Sequence, residues 1–181
     1  MLQLRQATLQ HHQEVEAFMP VMQPHLRLET YQHLLGQLYT VVAPLEGQLL
    51  ALPLPEQFEV GARQKAGLLR RDLSVLGVTS LPLGLSLPPL SLPQALGALY
   101  VLEGATLGGQ MIERHLHACL GLTAARGSAY FTAYGPATGQ MWRRFGAAMA
   151  CSVLPEDEPA VIAGAQTTFA AFRSALAPCP V

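Results

Sequence analysis

Three glycines in six residues, Gly104, Gly108 and Gly109, interrupt an apolar, otherwise helix-forming run from about Leu92 to Leu120. The local string is Tyr100-Val101-Leu102-Glu103-Gly104-Ala105-Thr106-Leu107-Gly108-Gly109-Gln110-Met111-Ile112. Each glycine costs roughly 1 kcal/mol relative to alanine in a helix interior, so the run must break here or make use of bare backbone. At about 100° per residue, Gly97, Gly104 and Gly108 fall within about 20–40° of one another, a strip without side chains down one face. Such a strip lets a neighbouring helix pack close, lets the helix kink, or leaves room for something flat.

The first helix, expected over residues 2 to about 19, carries the second informative pattern. Arg5, Thr8, His12, Glu16 and Met19 recur at helical spacing, so His12 points where Arg5 and Glu16 point. A neutral imidazole can bind iron through one nitrogen while its other N–H donates to a carboxylate, and a glutamate one turn away can be that acceptor. His11 is the adjacent rival, but it points about 100° away. Read alone, the pattern is equally that of an ordinary amphipathic helix.

The rest of the chain reads as helices joined by proline-rich connections. Pro20–Leu28 is a connection, and Thr30 to about Leu50 is a helix with an apolar stripe of Tyr31, Leu34, Leu35, Leu38, Val42, Leu45 and Leu49, kinked at Pro44. A third helix is expected from Glu56 to about Leu76, with Arg63, Lys65, Arg70, Arg71 and Asp72 on a solvated face and Gly77 as its C-cap. Val78–Leu90 is too proline-rich to be regular, and Ser91 is a credible N-cap for the glycine-bearing run. His115 and His117 at its far end read as surface residues. After a loop over Gly121–Ala137, a helix opens at Thr138, and a break at Ser152–Pro155 precedes a last helix over Glu156–Leu176. Residues 176–181 are expected to be a disordered tail.

A length of 181 residues fits one domain, 1–181, and with 50% hydrophobic and 13% charged residues its interior should be deep and apolar. The net charge of −1 leaves no electrostatic footprint for nucleic acid or an anionic membrane. Cys119, Cys151 and Cys179 are odd in number and lack CxxC spacing, so they suggest neither a disulfide framework nor a zinc site and read as small buried or tail residues. Met1–Thr8 has one basic residue and no apolar run, unlike a signal peptide, and the expected location is cytoplasmic.

Tyr-x-Leu-Glu-Gly-x-Thr-Leu-Gly-Gly-Gln-x-Ile over residues 100–112 resembles the distal-helix motif of the heme oxygenase family, particularly the bacterial members found with bacteriophytochromes. Ala7-Thr8-x-x-x-His12-x-x-x-Glu16 is similar to that family's proximal-helix pattern, and the strings around Leu38–Glu46 and Thr138–Phe145 extend the likeness from Leu4 to about Phe172. The resemblance implies an all-α heme oxygenase-like fold in which heme lies between a proximal helix and a glycine-kinked distal helix. It implies His12 as axial iron ligand and Glu16 as its orienting partner, with Thr8 on the same side. Arg5 matches a basic position that reaches a heme propionate, and Arg143 or Arg144 could pair with a propionate as well, although two adjacent arginines cannot both face inward. Gly104, Ala105 and Gly108 would stand over the heme as the catalytic face, with Gly109 beside them, because a close helix there bends bound O2 toward a meso carbon of the porphyrin.

The activity implied is cleavage of heme by O2 to biliverdin, CO and ferrous iron, at the alpha meso carbon by default, with heme both cofactor and substrate. No strand-associated GxGxxG accompanies these motifs, so electrons are expected from a separate donor, a ferredoxin or a flavin reductase, and a bacteriophytochrome would be an acceptor of the product. One departure stands out: where many heme oxygenases carry a distal aspartate that organises proton-delivering water, this chain has Ala105. A heme carrier or sensor of the same fold therefore stays open, as does a helical interaction domain without heme. A di-iron carboxylate bundle does not fit, because no Glu is followed by His three residues later.

Overall fold

A computed structural model describes residues 1–177, all of whose regular structure is helical. Eight α-helices follow in order: α1 (Leu2–Phe18), α2 (Leu28–Ala51), α3 (Ala66–Val75), α4 (Leu92–Gly104), α5 (Gly109–Leu120), α6 (Ala129–Thr132), α7 (Thr138–Ser152) and α8 (Glu158–Leu176). Helix α4 is the centre. It is apolar all round, burying Ala95, Leu96, Ala98, Leu99, Val101 and Leu102, as a helix enclosed by others must be. Helix α8 lies along α4 and also packs against α1 and α2, so it is the wall that fixes α1 relative to α4.

Close approach of α4 and α8 depends on two missing side chains. A Cβ at Gly97 would lie 2.0 Å from the Val161 carbonyl oxygen, and one at Gly164 2.2 Å from that of Gln94. The expected start of α4 is met by a capping box. Ser91 N–H donates to the Gln94 side chain at 2.9 Å, and Gln94 N–H donates back to Ser91 Oγ at 3.5 Å. The run then breaks at the glycines, with a 3-10 turn over Ala105–Gly108 between α4 and α5.

Pro44 sits inside the long α2 without ending it. Its missing N–H frees the Thr40 carbonyl, which accepts instead from Leu85 N–H at 2.8 Å, so the irregular segment 78–91 is tied along α2. Gln48 adds two more ties, accepting from Leu90 N–H at 2.9 Å and donating to the Pro88 carbonyl at 3.1 Å.

The third helix is shorter than its sequence pattern suggests. Residues 56–63 form two 3-10 turns separated at Glu59, whose φ of 47° and ψ of 41° are left-handed, and α3 starts only at Ala66. The solvated face expected for this region is also overturned: Arg70 and Arg71 are exposed, but Arg63, Lys65 and Asp72 are 2%, 3% and 0% exposed. Each has partners far away in sequence, which local charge pattern cannot reveal. Cys119 and Cys151 are exposed free thiols rather than buried residues, and Cys179 lies outside the described residues. Leu176 is the buried last residue of α8, and the remainder of the expected tail from 178 lies outside the described residues.

Candidate functional site

The glycines of the α4–α5 run divide into two kinds. Gly97 serves contact with α8, as above, and Gly109 serves contact with α6, since a Cβ there would meet the Phe131 carbonyl oxygen at 2.1 Å. A Cβ at Gly104 would meet nothing within 4 Å, and at Gly108 only the far end of Ile112 at 3.9 Å. Neither is needed for an unusual backbone: Gly104 (φ −58°) and Gly108 (φ −78°) are both right-handed helical. Each forgoes helix propensity at a place where a side chain would have ample room. The strip inferred from sequence is thus shorter than expected. Gly97 and Gly109 are packing residues, and Gly104 with Gly108 form an open, bare face.

Exposed apolar residues flank that face: Leu107 and Met111 beside the kink are 50% and 56% exposed, and Ala105 is exposed. Between α1, α4 and α7 a cavity of about 470 Å³ is lined by Met1, Arg5, Tyr100, Trp142, Arg143 and Gly146. His12, Gly104 and Gly108 are not among its lining residues: Arg5 is two turns before His12 on α1, and Tyr100 one turn before Gly104 on α4. Arg5 and Arg143 therefore present two cations at one rim. Of the two adjacent arginines, Arg143 lines this cavity and Arg144 forms an ion pair with Glu59.

His12 is accessible, with 51% of its side chain exposed, and its Nδ1 lies 3.4 Å from Glu16 Oε2. Its ring stands edge-on to Phe169 of α8, centroids 5.9 Å apart, which limits how the imidazole can turn. Thr8 departs from the expected common face. It is buried, and its hydroxyl donates to the Leu4 carbonyl at 2.7 Å, whereas His12 is exposed.

Two features escaped the sequence reading. Tyr100 lies on the Gly104 side of α4 and joins the arginines in the cavity. More conspicuous is a buried ionic cluster directly before the kink. The Glu103 carboxylate, 1% exposed, accepts from Lys65 Nζ at 2.6 Å, from the Tyr134 hydroxyl at 2.7 Å and from Arg63 Nη1. Burial pushes the Lys65 ammonium below its ordinary value against the opposing pull of Glu103, and burial together with the Glu103 charge raises the Tyr134 phenol. Glu46 of α2 completes the support by accepting from the backbone N–H groups of Lys65 and Ala66, its carboxyl raised by burial. A signal existed: Glu103 is the single charged residue between Asp72 and Glu113.

An all-α chain with a bare helical kink, an accessible histidine on another helix and two arginines lining one cavity carries the groups that a flat, apolar, dianionic ligand would need. The heme oxygenase family model matches residues 87–177. A heme oxygenase of Xanthomonas campestris is 34% identical over 162 residues, which cover 86% of this chain and 93% of that protein. The NO- and CO-bound heme oxygenase of Neisseria meningitidis superposes with a TM-score of 0.81 at 25% identity, over 96% of this chain and 88% of its own. The heme oxygenase of Leptospira interrogans shares the fold, with a TM-score of 0.77 at 18% identity over 96% of each chain. The chain belongs to the heme oxygenase family, and so to the enzymes that degrade heme.

Proposed function

We propose that the chain acts as a single domain that binds heme between α1 and the α4–α5 kink and cleaves it with O2 to biliverdin, CO and ferrous iron. The observation that carries this reading is the open face at Gly104 and Gly108, where bare helix adjoins empty space instead of a neighbouring helix. Bound there, heme supplies the iron at which O2 is activated and is itself the substrate. The chain's own residues bind and orient it. His12 would ligate the iron, with Glu16 placed to hold its second nitrogen and Phe169 to limit ring rotation. Arg5 and Arg143 at one rim take the propionates, which fixes the rotation of the ring in its plane. Gly104 and Gly108 allow backbone to approach the distal side, and Ala105 places no carboxylate there, so proton transfer relies on water held by backbone groups.

Electrons come from a separate donor, a ferredoxin or a flavin reductase, and a bacteriophytochrome is a candidate acceptor for biliverdin. Among the described residues no helix is long and apolar enough to cross a membrane, which is consistent with a cytoplasmic enzyme. Titrating purified protein with hemin should give a sharp Soret band that His12→Ala abolishes. Ascorbate in air should then replace the band with the broad red absorption of biliverdin. A band that needs His12 but persists under reductant identifies a heme carrier, and a band indifferent to His12 removes the axial assignment.

A further inference from the structure

The bare positions Gly104 and Gly108 offer no side chain by which packing could hold them, so the position of this segment depends on its other residues and its flanks. After the kink, Gly109 seats against the Phe131 carbonyl. Within it, Thr106 is buried and donates from Oγ1 to the Glu103 carbonyl at 2.7 Å. Before it stands Glu103, the last residue ahead of the bare face, with three charged or polar donors on one carboxylate.

These donors come from two other parts of the fold, the segment that leads into α3 and the connection between α6 and α7. Lys65 is anchored to α2 through Glu46 and bonds the Arg63 carbonyl at 2.9 Å. Arg63 bonds the Phe58 carbonyl at 2.7 Å and the Met141 carbonyl of α7 at 3.3 Å, and its guanidinium lies over Phe145, 5.7 Å from the ring centroid. Tyr134 comes from the connection between α6 and α7, its ring 5.1 Å from Lys65 Nζ. Burying two cations and a carboxylate is expensive, and well-packed apolar side chains would stabilise the core at least as well. What the ion cluster gives that apolar packing does not is a fixed position: directional bonds to one atom pair from three directions.

Resting on the heme oxygenase reading, we propose that Glu103 is the positioning residue of the distal helix. Through Arg63, Lys65 and Tyr134 it fixes where the Gly104–Gly108 backbone stands over the heme, and so which meso carbon is exposed to attack. The carboxylate does not touch the substrate. It acts through the backbone that follows it.

The first test uses the apo-protein. In Glu103→Gln, amide hydrogen exchange at residues 105–112 should quicken about tenfold or more relative to that in α2, the effect of losing a charge-assisted bond from a local opening unit. Tyr134→Phe removes one neutral donor, should fold without difficulty, and should show a smaller change confined to the same residues. The second test uses the heme-loaded ferrous protein under CO. The C–O stretch should broaden or split in Glu103→Gln while the His12-dependent Soret band persists, and turnover should yield a wider mixture of biliverdin isomers than the native chain gives. Uniformly faster exchange across the whole protein, with a native C–O band and a native isomer ratio, would reduce the cluster to general stability and overturn the proposal. Should Glu103→Gln not fold, an unaltered exchange pattern and isomer ratio in Tyr134→Phe overturn it equally. Failure of the native chain to bind or cleave heme is a separate result, which leaves the apo exchange comparison standing.

Discussion

Gly97 and Gly104 lie two turns apart on one helix, yet a methyl group at the first would sit 2.0 Å from the Val161 carbonyl oxygen, while at the second it would meet nothing within 4 Å. The same residue type answers two different demands. In the first half of α4, glycine removes a side chain so that another helix can come within contact distance, and the space is already filled. At the kink, glycine removes a side chain and leaves the space open. Because both backbones are right-handed helical, conformational freedom explains neither. A glycine whose absent Cβ faces protein is structural, and one whose absent Cβ faces open space is free for the ligand contact proposed above.

The sharpest way to break this contrast is on stability. Gly97→Ala must push α4 and α8 apart along their shared length, and a loss of about 3 kcal/mol is expected, the upper part of the range for overpacked cores. Urea unfolding of the apo-protein measures it. Heme affinity of the molecules that remain folded should be nearly native. A Gly97→Ala chain as stable as the native one would mean that α4 and α8 are not held as described.

Gly104→Leu asks the complementary question through binding. The new side chain occupies the open face, and hemin affinity should fall by about tenfold or more, the factor corresponding to 1.4 kcal/mol of lost contact. Unfolding of the apo-protein should be unimpaired. If hemin binds Gly104→Leu as tightly as the native chain, the heme lies elsewhere and the void has another use.

Gly104→Ala carries a smaller effect of opposite sign. With helical φ and free space, alanine should stabilise the apo-protein by about 0.5–1 kcal/mol, the ordinary helix-interior difference between the two residues. A variant that is more stable but cleaves heme more slowly would show that stability has been given up for function at this position. One that is destabilised would reveal an unrecognised packing contact.

These contrasts also show how far the sequence could be read. Apolar periodicity and Ser91 were sufficient to place α1, α2, α4, α7 and α8, because helix caps and stripes are local signals. The kink was legible because glycine is costly in a helix. What the sequence could not separate was Gly97 and Gly109 from Gly104 and Gly108, since a strip on a helical wheel carries no information about what faces it. Thr8 was placed with His12 by spacing that is only approximate, about 40° apart on the wheel, and that difference is enough to bury one and expose the other. The burial of Arg63 and Lys65 depends on Glu103, 38 to 40 residues away, and charge counting over a short window assigns such residues to solvent. Glu103 itself, alone among some forty uncharged residues, was the readable half of that pair.

The smallest effect concerns the far side of the kink, where Asp72 plays for α6 a part comparable to that of Glu103 for α4. Its buried carboxylate accepts from Ala129 N–H at 2.9 Å and Tyr130 N–H at 2.8 Å, and so holds the short helix whose Phe131 carbonyl receives Gly109. Burial raises the Asp72 carboxyl above its ordinary range, outweighing those two donors, which lower it. The folded chain therefore keeps this proton to higher pH than the unfolded chain. The stability gained is complete below the unfolded carboxylate pKa and is lost as pH rises through the folded one, at about 1.4 kcal/mol per unit between them. Asp72→Asn removes the titration. Whatever the variant costs in acid, the difference between it and the native chain should move in the variant's favour as pH climbs through that window, and then level off. Urea midpoints taken across the acid-to-neutral range measure it; a constant difference would mean that the hydrogen bonds to α6 cancel the effect of burial, and one that moves in the native chain's favour that they govern this carboxyl.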